Sequence, residues 1–325
     1  MDRFSPKLVT VFGGSGFVGT SVVQLLAARG YRIRVAVRRP DLAGPATMLG
    51  TVGQIVPIQA NLRNAASVER AVAGADMVVN LVGLGIESGK QKFASVNTEG
   101  AATVARAAKA AGVKSLVHMS ALGADTAAKV SAYARTKLEG ENAVLAAFPE
   151  AIILRPSLIF GQGDGFFNLM GTLARMFPIM PLISGTSRFQ PVYVGDVAEA
   201  IVKALDGTVQ TGRVYELGGP EVETHQQLLE RILREAGRKR PLLPLSNGIA
   251  GMFASILSFL PFKPLITSDQ VALLGKDNVV SEAAISENRT LAAFGITPTS
   301  MDTILPSYMW RFRKHGQFDR DKVVA

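Results

Sequence analysis

The chain has no cysteine among its 325 residues. Disulfides, thiolate zinc sites and cysteine-held iron–sulfur clusters are therefore excluded. Histidine is almost as scarce, and His118, His225 and His315 show no metal-ligand spacing, so no metal site is expected. Acidic residues are outnumbered, 26 against 35 Lys plus Arg, for a formal net charge of +9. That balance favours anionic partners such as nucleotide phosphates, nucleic acid, anionic lipid or an acidic protein surface. Long apolar runs are lacking too. The longest uncharged stretch lies between Arg240 and Lys263, and the helix read inside it, Ile249–Leu260 with its flanks, is about 20–24 Å long, short of the ~30 Å hydrocarbon core. The opening Met1-Asp-Arg-Phe-Ser-Pro6 is too short and polar for a signal peptide, so a cytosolic start is expected.

What is present begins with a short apolar run, Leu8–Phe12, followed by Gly13-Gly14-Ser15-Gly16-Phe17-Val18-Gly19, a helical pattern through Ala28, and a second strand, Arg32–Val37. Strand, glycine turn, helix and strand form the first unit of a dinucleotide-binding fold. Gly14 and Gly16 are expected to turn the backbone tightly against a pyrophosphate, and Gly19 to let the helix approach the sheet. Where an acidic residue would take the ribose of NAD, the second strand ends in Arg38-Arg39. Arginine there accommodates a 2′-phosphate and favours NADP(H); the alternative is two solvated arginines.

Strands and helices keep alternating, through Gln54–Gln59, Asp76–Val82 and Val113–Met119. This predicts an α/β fold: a Rossmann-like doubly wound parallel sheet with a smaller, mostly helical C-terminal domain. Residues 1–160 and 189–219 are expected to form the dinucleotide-binding domain, and 161–188 with 220–325 the smaller one. Ligand-facing positions lie beyond the carboxyl ends of strands. The candidates there are Asn61, Leu62, Leu81, Val82, Gly83, Met119, Ser120, Pro156 and Ser157. Tyr133 and Lys137, in Ser131-Ala-Tyr-Ala-Arg-Thr-Lys137, fall one helical turn apart on one face. They form a proton-transfer pair, or a pair that only holds a nucleotide.

Gly13-x-x-Gly16-x-x-Gly19, Asn80–Gly83, Asn97, Ser120, Tyr133-x-x-x-Lys137, Leu154-Arg-Pro156 and Asp196 in Val192–Ala198 together resemble the extended or atypical short-chain dehydrogenase/reductases. The resemblance implies hydride-transfer chemistry, with Tyr133 as general acid/base, Lys137 holding the nicotinamide ribose, Ser120 at the carbonyl and Asn97 on a relay water. The pattern departs at Leu122, where a catalytic hydroxyl is expected. Tyr133, Lys137, Ser120 and Asn97 are thus read as vestigial.

The second half differs from a sugar pocket. Gly165–Gly185 carries one charge, Arg175, and reads as a buried helix or a partner surface. Thr224 and Gln227 form a capping box opening a helix. Arg238-Lys-Arg240 precedes the Ile249–Leu260 helix, which either packs in the core or lies on a membrane. Pro306–Lys314 mixes aromatics with positive charge, as interfacial segments do. No RNA-binding module is visible, and nucleic acid is not an expected partner. With His118–Asp125, Tyr215–Pro220, Leu265–Val271, Asp277–Val280, Phe294–Pro298 and Leu305–Tyr308, the chain resembles the nucleotide-binding accessory subunits of respiratory complex I, the NADH:quinone oxidoreductase. That resemblance implies tightly held NADPH without turnover, other complex I subunits near the quinone site as partners, and contact with the membrane surface through Ile249–Leu260 and the basic C-terminal end. It further implies an alphaproteobacterial version, peripheral on the cytoplasmic face of the inner membrane, or on the matrix side if mitochondrial.

Overall fold

The computed structural model describes residues 6–246, 248 and 267–314. In chain order the elements that matter are β1 (Leu8–Phe12), α1 (Phe17–Ala28), β2 (Arg32–Val37), α2 (Gly44–Thr47), β3 (Ile55–Gln59), α3 (Ala65–Val72), β4 (Met77–Asn80), α4 (Glu99–Ala110), β5 (Ser115–Met119), α5 (Ala132–Ala147) and β6 (Ile152–Pro156). They are followed by α6 (Phe166–Met176), α7 (Val194–Leu205), the strand Val214–Leu217 and α8 (His225–Glu235).

Two compact units result: residues 1–156, 194–217 and 281–297, and residues 157–193, 218–280 and 298–325. The first unit is a seven-stranded parallel sheet in the order Val214–Leu217, β6, β5, β4, β1, β2, β3. Strand order reverses at β1, so the carboxyl ends of β1 and β4 flank the crevice where such sheets take their ligand. The fold is Rossmann-like, as the alternation predicts. Phe12, Val78, Leu116 and Ile153 form one buried face of the sheet against Val68 of α3, Val104 of α4 and Val144 of α5. Helices α1 and α7 pack together on the opposite side.

The unit boundaries depart from the expected ones at 281–297. That segment runs along the sheet's outer strand: Glu216 N donates to Arg289 O at 2.9 Å, Arg289 Nη1 to Val214 O at 2.8 Å, and Ser281 N to Glu216 Oε2 at 2.8 Å. An edge strand with unpaired backbone groups is thereby covered.

The second unit is largely helical, with short two-stranded pieces, and its core gathers Phe160, Phe167, Leu228, Ile232, Leu305, Tyr308, Met309 and Phe312. The Thr224–Gln227 capping box opens α8. One expectation is corrected here. The Pro306–Lys314 stretch is not an aromatic lipid-facing belt: Tyr308 and Phe312 are buried, and the Tyr308 hydroxyl donates to Asp164 Oδ2 at 2.7 Å. Helix α6 shares features of both readings of its stretch: Phe167, Gly171 and Ala174 are buried, Phe166, Met170 and Leu173 pack half-buried against the same core, and Met176 and, just past the helix, Phe177 are exposed. The Ile249–Leu260 helix lies outside the described residues. Among those described, no helix is long and apolar enough to cross a membrane, and no group of acidic and histidine side chains has metal-binding geometry.

Candidate functional site

The glycine turn joins β1 to α1. The left-handed residue is Gly13, at φ +80°. A side chain there would be strained whatever the space. Gly19 is the tightest position: a Cβ would stand 2.2 Å from Gly13 O and 2.7 Å from Gly14 Cα, so any larger residue pushes α1 off the turn. At Gly16 an added Cβ would meet only Gly13 O, at 3.3 Å, so its outer side stays open. Gly16 is also the N-cap of α1 and no side chain caps it. Ser15, Phe17 and Val18 line the same turn. Uncapped first-turn N–H groups and the positive dipole end are what a pyrophosphate needs.

At the end of β2 the two arginines separate in role. Arg39 chelates Asp41, through Nε at 3.0 Å and Nη2 at 2.8 Å. Arg38 is exposed and makes no hydrogen bond or ion pair among the described residues. Arg38 is thus the guanidinium available to an anion, and Arg39 holds an acidic side chain nearby. Beyond β3, Asn61 Oδ1 accepts from Arg63 N at 3.1 Å. The Leu62 side chain is buried and turns into the core, and a Cβ on Gly100 of α4 would meet it at 3.0 Å. Only its backbone faces outward.

The centre of the site is the carboxyl end of β4 and β5. Lys137 is 3% exposed, and its Nζ donates to Met119 O at 2.9 Å. Gly83 leaves room for it, since a Cβ there would be 3.1 Å from Nζ. Leu81 N donates to Phe12 O, and Val82 N to Asn80 Oδ1 at 3.2 Å, which holds this strand end against the glycine turn. Burial pulls the Lys137 ammonium down from 10.5 to about 8, against the opposing pull of Glu141. Ser120 follows β5, is 4% exposed, and its Oγ has no hydrogen-bond partner. A buried hydroxyl left unpaired costs about 1–3 kcal/mol, so it fits a site awaiting a polar ligand.

His118 lies two residues before Ser120, on the same face of the sheet. Burial and the nearby Lys137 push its imidazole down to about 3, so it is neutral. Asn80 Oδ1 is occupied by Val82 N, so the Asn80 amide nitrogen faces His118 Nδ1 at 3.2 Å. Nδ1 must therefore accept, and the ring proton sits on Nε2, which is buried without a partner.

Tyr133 precedes Lys137 by one turn of α5, with its ring edge-on to Phe93 at a 6.0 Å centroid distance. Ser131 caps that helix by accepting from Ala134 N at 3.1 Å. Asn97 lies in a π-helical turn, Ala94–Thr98, and clamps the backbone of Leu84: Oδ1 accepts from Leu84 N at 2.9 Å and Nδ2 donates to Leu84 O at 3.2 Å. Its own carbonyl abuts Gly140 of α5, where a Cβ would stand 2.2 Å away. Leu122 is buried and its N donates to Pro156 O at 2.9 Å. Ser157 belongs to the second unit and spends its hydroxyl on Asn278, with Oδ1 at 2.6 Å.

One group escaped the sequence reading. Arg155, nearly buried on β6, donates to Glu141 through Nε at 2.9 Å and Nη2 at 2.8 Å, and to Asp125 through Nη1 at 2.6 Å. Burial alone would lower the guanidinium's pKa, but the bonds to Glu141 and Asp125 outweigh it and raise it. An arginine in the otherwise apolar strand Ile152–Pro156 was the available signal, because a buried charge requires partners.

Three comparisons bear on this arrangement. The profile of the NAD dependent epimerase/dehydratase family matches residues 9–218. An Arabidopsis thaliana protein, NADH dehydrogenase (ubiquinone) 1 alpha subcomplex subunit 9, mitochondrial, is 33% identical over 321 residues, covering 95% of this chain and 79% of its own length. A ceramide reductase from Caulobacter vibrioides is 34% identical over 195 residues, 60% of each chain. Among solved structures, the NADPH-dependent quinone oxidoreductase QOR2 of Escherichia coli, crystallised with NADPH, aligns with a TM-score of 0.68 at 20% identity, over 92% of this chain and 97% of that one. At that identity the likeness is one of fold.

Proposed function

We infer the function from one premise: this chain belongs to the NAD dependent epimerase/dehydratase family, and the relatives it follows nearly end to end are subunits of NADH dehydrogenase. It is an accessory subunit of respiratory complex I that holds NADPH as a structural cofactor and stabilises the junction of the peripheral and membrane arms. The observation carrying this is the buried Lys137 ammonium beside the unpaired Ser120 hydroxyl, at the carboxyl end of β5 and past an uncapped glycine turn. The residues fit the dinucleotide. The Gly13–Gly19 turn takes the pyrophosphate, Arg38 the 2′-phosphate, Gly83 and Lys137 the nicotinamide ribose, and Ser120 the carboxamide side. When bound, the nicotinamide supplies hydride chemistry; this chain offers little to direct it, because Leu122 stands where a catalytic hydroxyl is expected.

Retention needs no turnover to be useful. A ligand that binds only the folded state stabilises it by about 4 kcal/mol at a thousandfold excess over Kd. The partners are neighbouring subunits near the quinone site, with membrane contact through Ile249–Leu260, on the cytoplasmic face of a bacterial inner membrane. A second reading, an NADP-dependent short-chain reductase or epimerase using Tyr133 and Lys137, draws support from the free Ser120 hydroxyl and the ceramide reductase relative. Tyr133→Phe separates the two. Under the structural reading the variant assembles, keeps its nucleotide and supports respiration; loss of respiration with assembly and occupancy intact favours the reductase.

A further inference from the structure

Lys137 is a buried cation whose nearest carboxylate is already engaged. Glu141 lies one helical turn beyond it on α5, on the same face, and is the carboxylate whose charge acts on it. Both Glu141 oxygens, however, are taken by Arg155 of β6, at 2.9 and 2.8 Å. Arg155 is fixed on its other side by Asp125, from the loop after β5, and faces Glu216 more loosely at 3.9 Å. The remaining titratable neighbours of Lys137 are Tyr133 on its own helix and neutral His118 on β5; Gly83, after β4, brings no charge.

We propose that Arg155 is a positioning residue for the nucleotide site: by holding Glu141 in a two-pronged ion pair, it keeps that carboxylate from neutralising Lys137 and leaves the ammonium's charge for the bound dinucleotide. The proposal rests on the reading that this site holds NADP(H). Its logic is competition for one carboxylate. A guanidinium fork matches both oxygens of Glu141, whereas a lone ammonium reaches one at a time. Three carboxylates around one arginine leave a net negative surplus, so the cluster is arranged to hold Arg155 firmly and Lys137 only from a distance. Losing Arg155 releases Glu141 towards Lys137. Losing the Glu141 charge leaves Lys137 with less support than it has now.

The two changes therefore move the same property in opposite directions. NADPH binding to nucleotide-free protein, measured by titration calorimetry from pH 6.5 to 10.5, follows the charge on Lys137: affinity falls once the free protein loses that proton. In Arg155→Met the affinity below that fall is already several-fold weaker, because the freed Glu141 pairs with the ammonium, and the fall begins about one pH unit or more higher than in the unaltered chain; in Glu141→Gln it begins about one unit lower. Arg155→Lys, which keeps a charge beside Glu141, stays closer to the unaltered profile and serves if the methionine variant does not fold. Arg155→Met and Glu141→Gln profiles that shift in the same direction, or a Glu141→Gln profile that does not shift while its affinity drops uniformly, overturn the proposal, because a merely structural pair would act that way. If the unaltered chain fails to bind NADPH at any pH, the functional reading itself is what fails.

Discussion

Replacing Lys137 by methionine separates a residue kept for a ligand from one kept for the fold. Burial lowers the Lys137 pKa from 10.5 to about 8. At ~1.4 kcal/mol per unit, the charged side chain costs the folded state roughly 3 kcal/mol at neutral pH. The sign follows from linkage. The folded pKa lies below the unfolded one, so folding is disfavoured in full below about pH 8, and the penalty fades as pH rises towards the unfolded value. Methionine keeps the stem and removes the charge. It forfeits the hydrogen bond from the charged ammonium to Met119 O, worth roughly 2 kcal/mol. Nucleotide-free Lys137→Met should therefore be about 1 kcal/mol more stable at pH 7 by urea denaturation, and the gain should reverse before pH 10.5 as the penalty fades and the missing hydrogen bond remains. The same variant should bind NADPH at least about tenfold more weakly, since a charge-assisted contact is gone. A nucleotide-free variant less stable than the parent at pH 7 would refute the reasoning and make Lys137 a structural residue.

Gly19→Ala drives a methyl group to 2.2 Å from Gly13 O, so stability should fall by about 3 kcal/mol or more in thermal melts and NADPH binding should be lost. Arg38→Ala should weaken NADPH by roughly tenfold or more while leaving NADH within a few-fold, as fluorescence titration of both would report. Arg39→Ala should discriminate less, because that guanidinium is spent on Asp41; equal effects of the two would contradict the division of roles. Tyr308→Phe takes from Asp164 Oδ2 its short buried donor, leaving that oxygen only the 3.4 Å bond from Gly161 N, and should cost about 1–3 kcal/mol by denaturant unfolding, which an interfacial tyrosine would not.

Much of the first unit was legible because its signals are local. A glycine turn between two apolar runs, and strands alternating with helices, gave the element order and the crevice. Composition cannot tell which glycine of the turn adopts the left-handed conformation, and in the fold it is Gly13. Arg155, Glu141 and Asp125 were invisible as a group, since they are 14 and 30 residues apart and meet only in the folded sheet. The C-terminal stretch misled in a different manner. Aromatics beside arginines suggested an interface, yet Leu305, Tyr308, Met309 and Phe312 follow the i, i+3, i+4, i+7 spacing of a core-facing helix. Periodicity was the better guide there, and charge content the worse one.

The central claim is that NADPH stays in this chain as part of its structure. Native mass spectrometry of the gently extracted assembly, followed by release and identification of the nucleotide, tests it most directly. NADP(H) should be recovered at close to one per subunit and should resist exchange with added labelled NADPH during respiration. An empty chain, NAD(H) in its place, or rapid exchange coupled to turnover of a carbonyl substrate would contradict it.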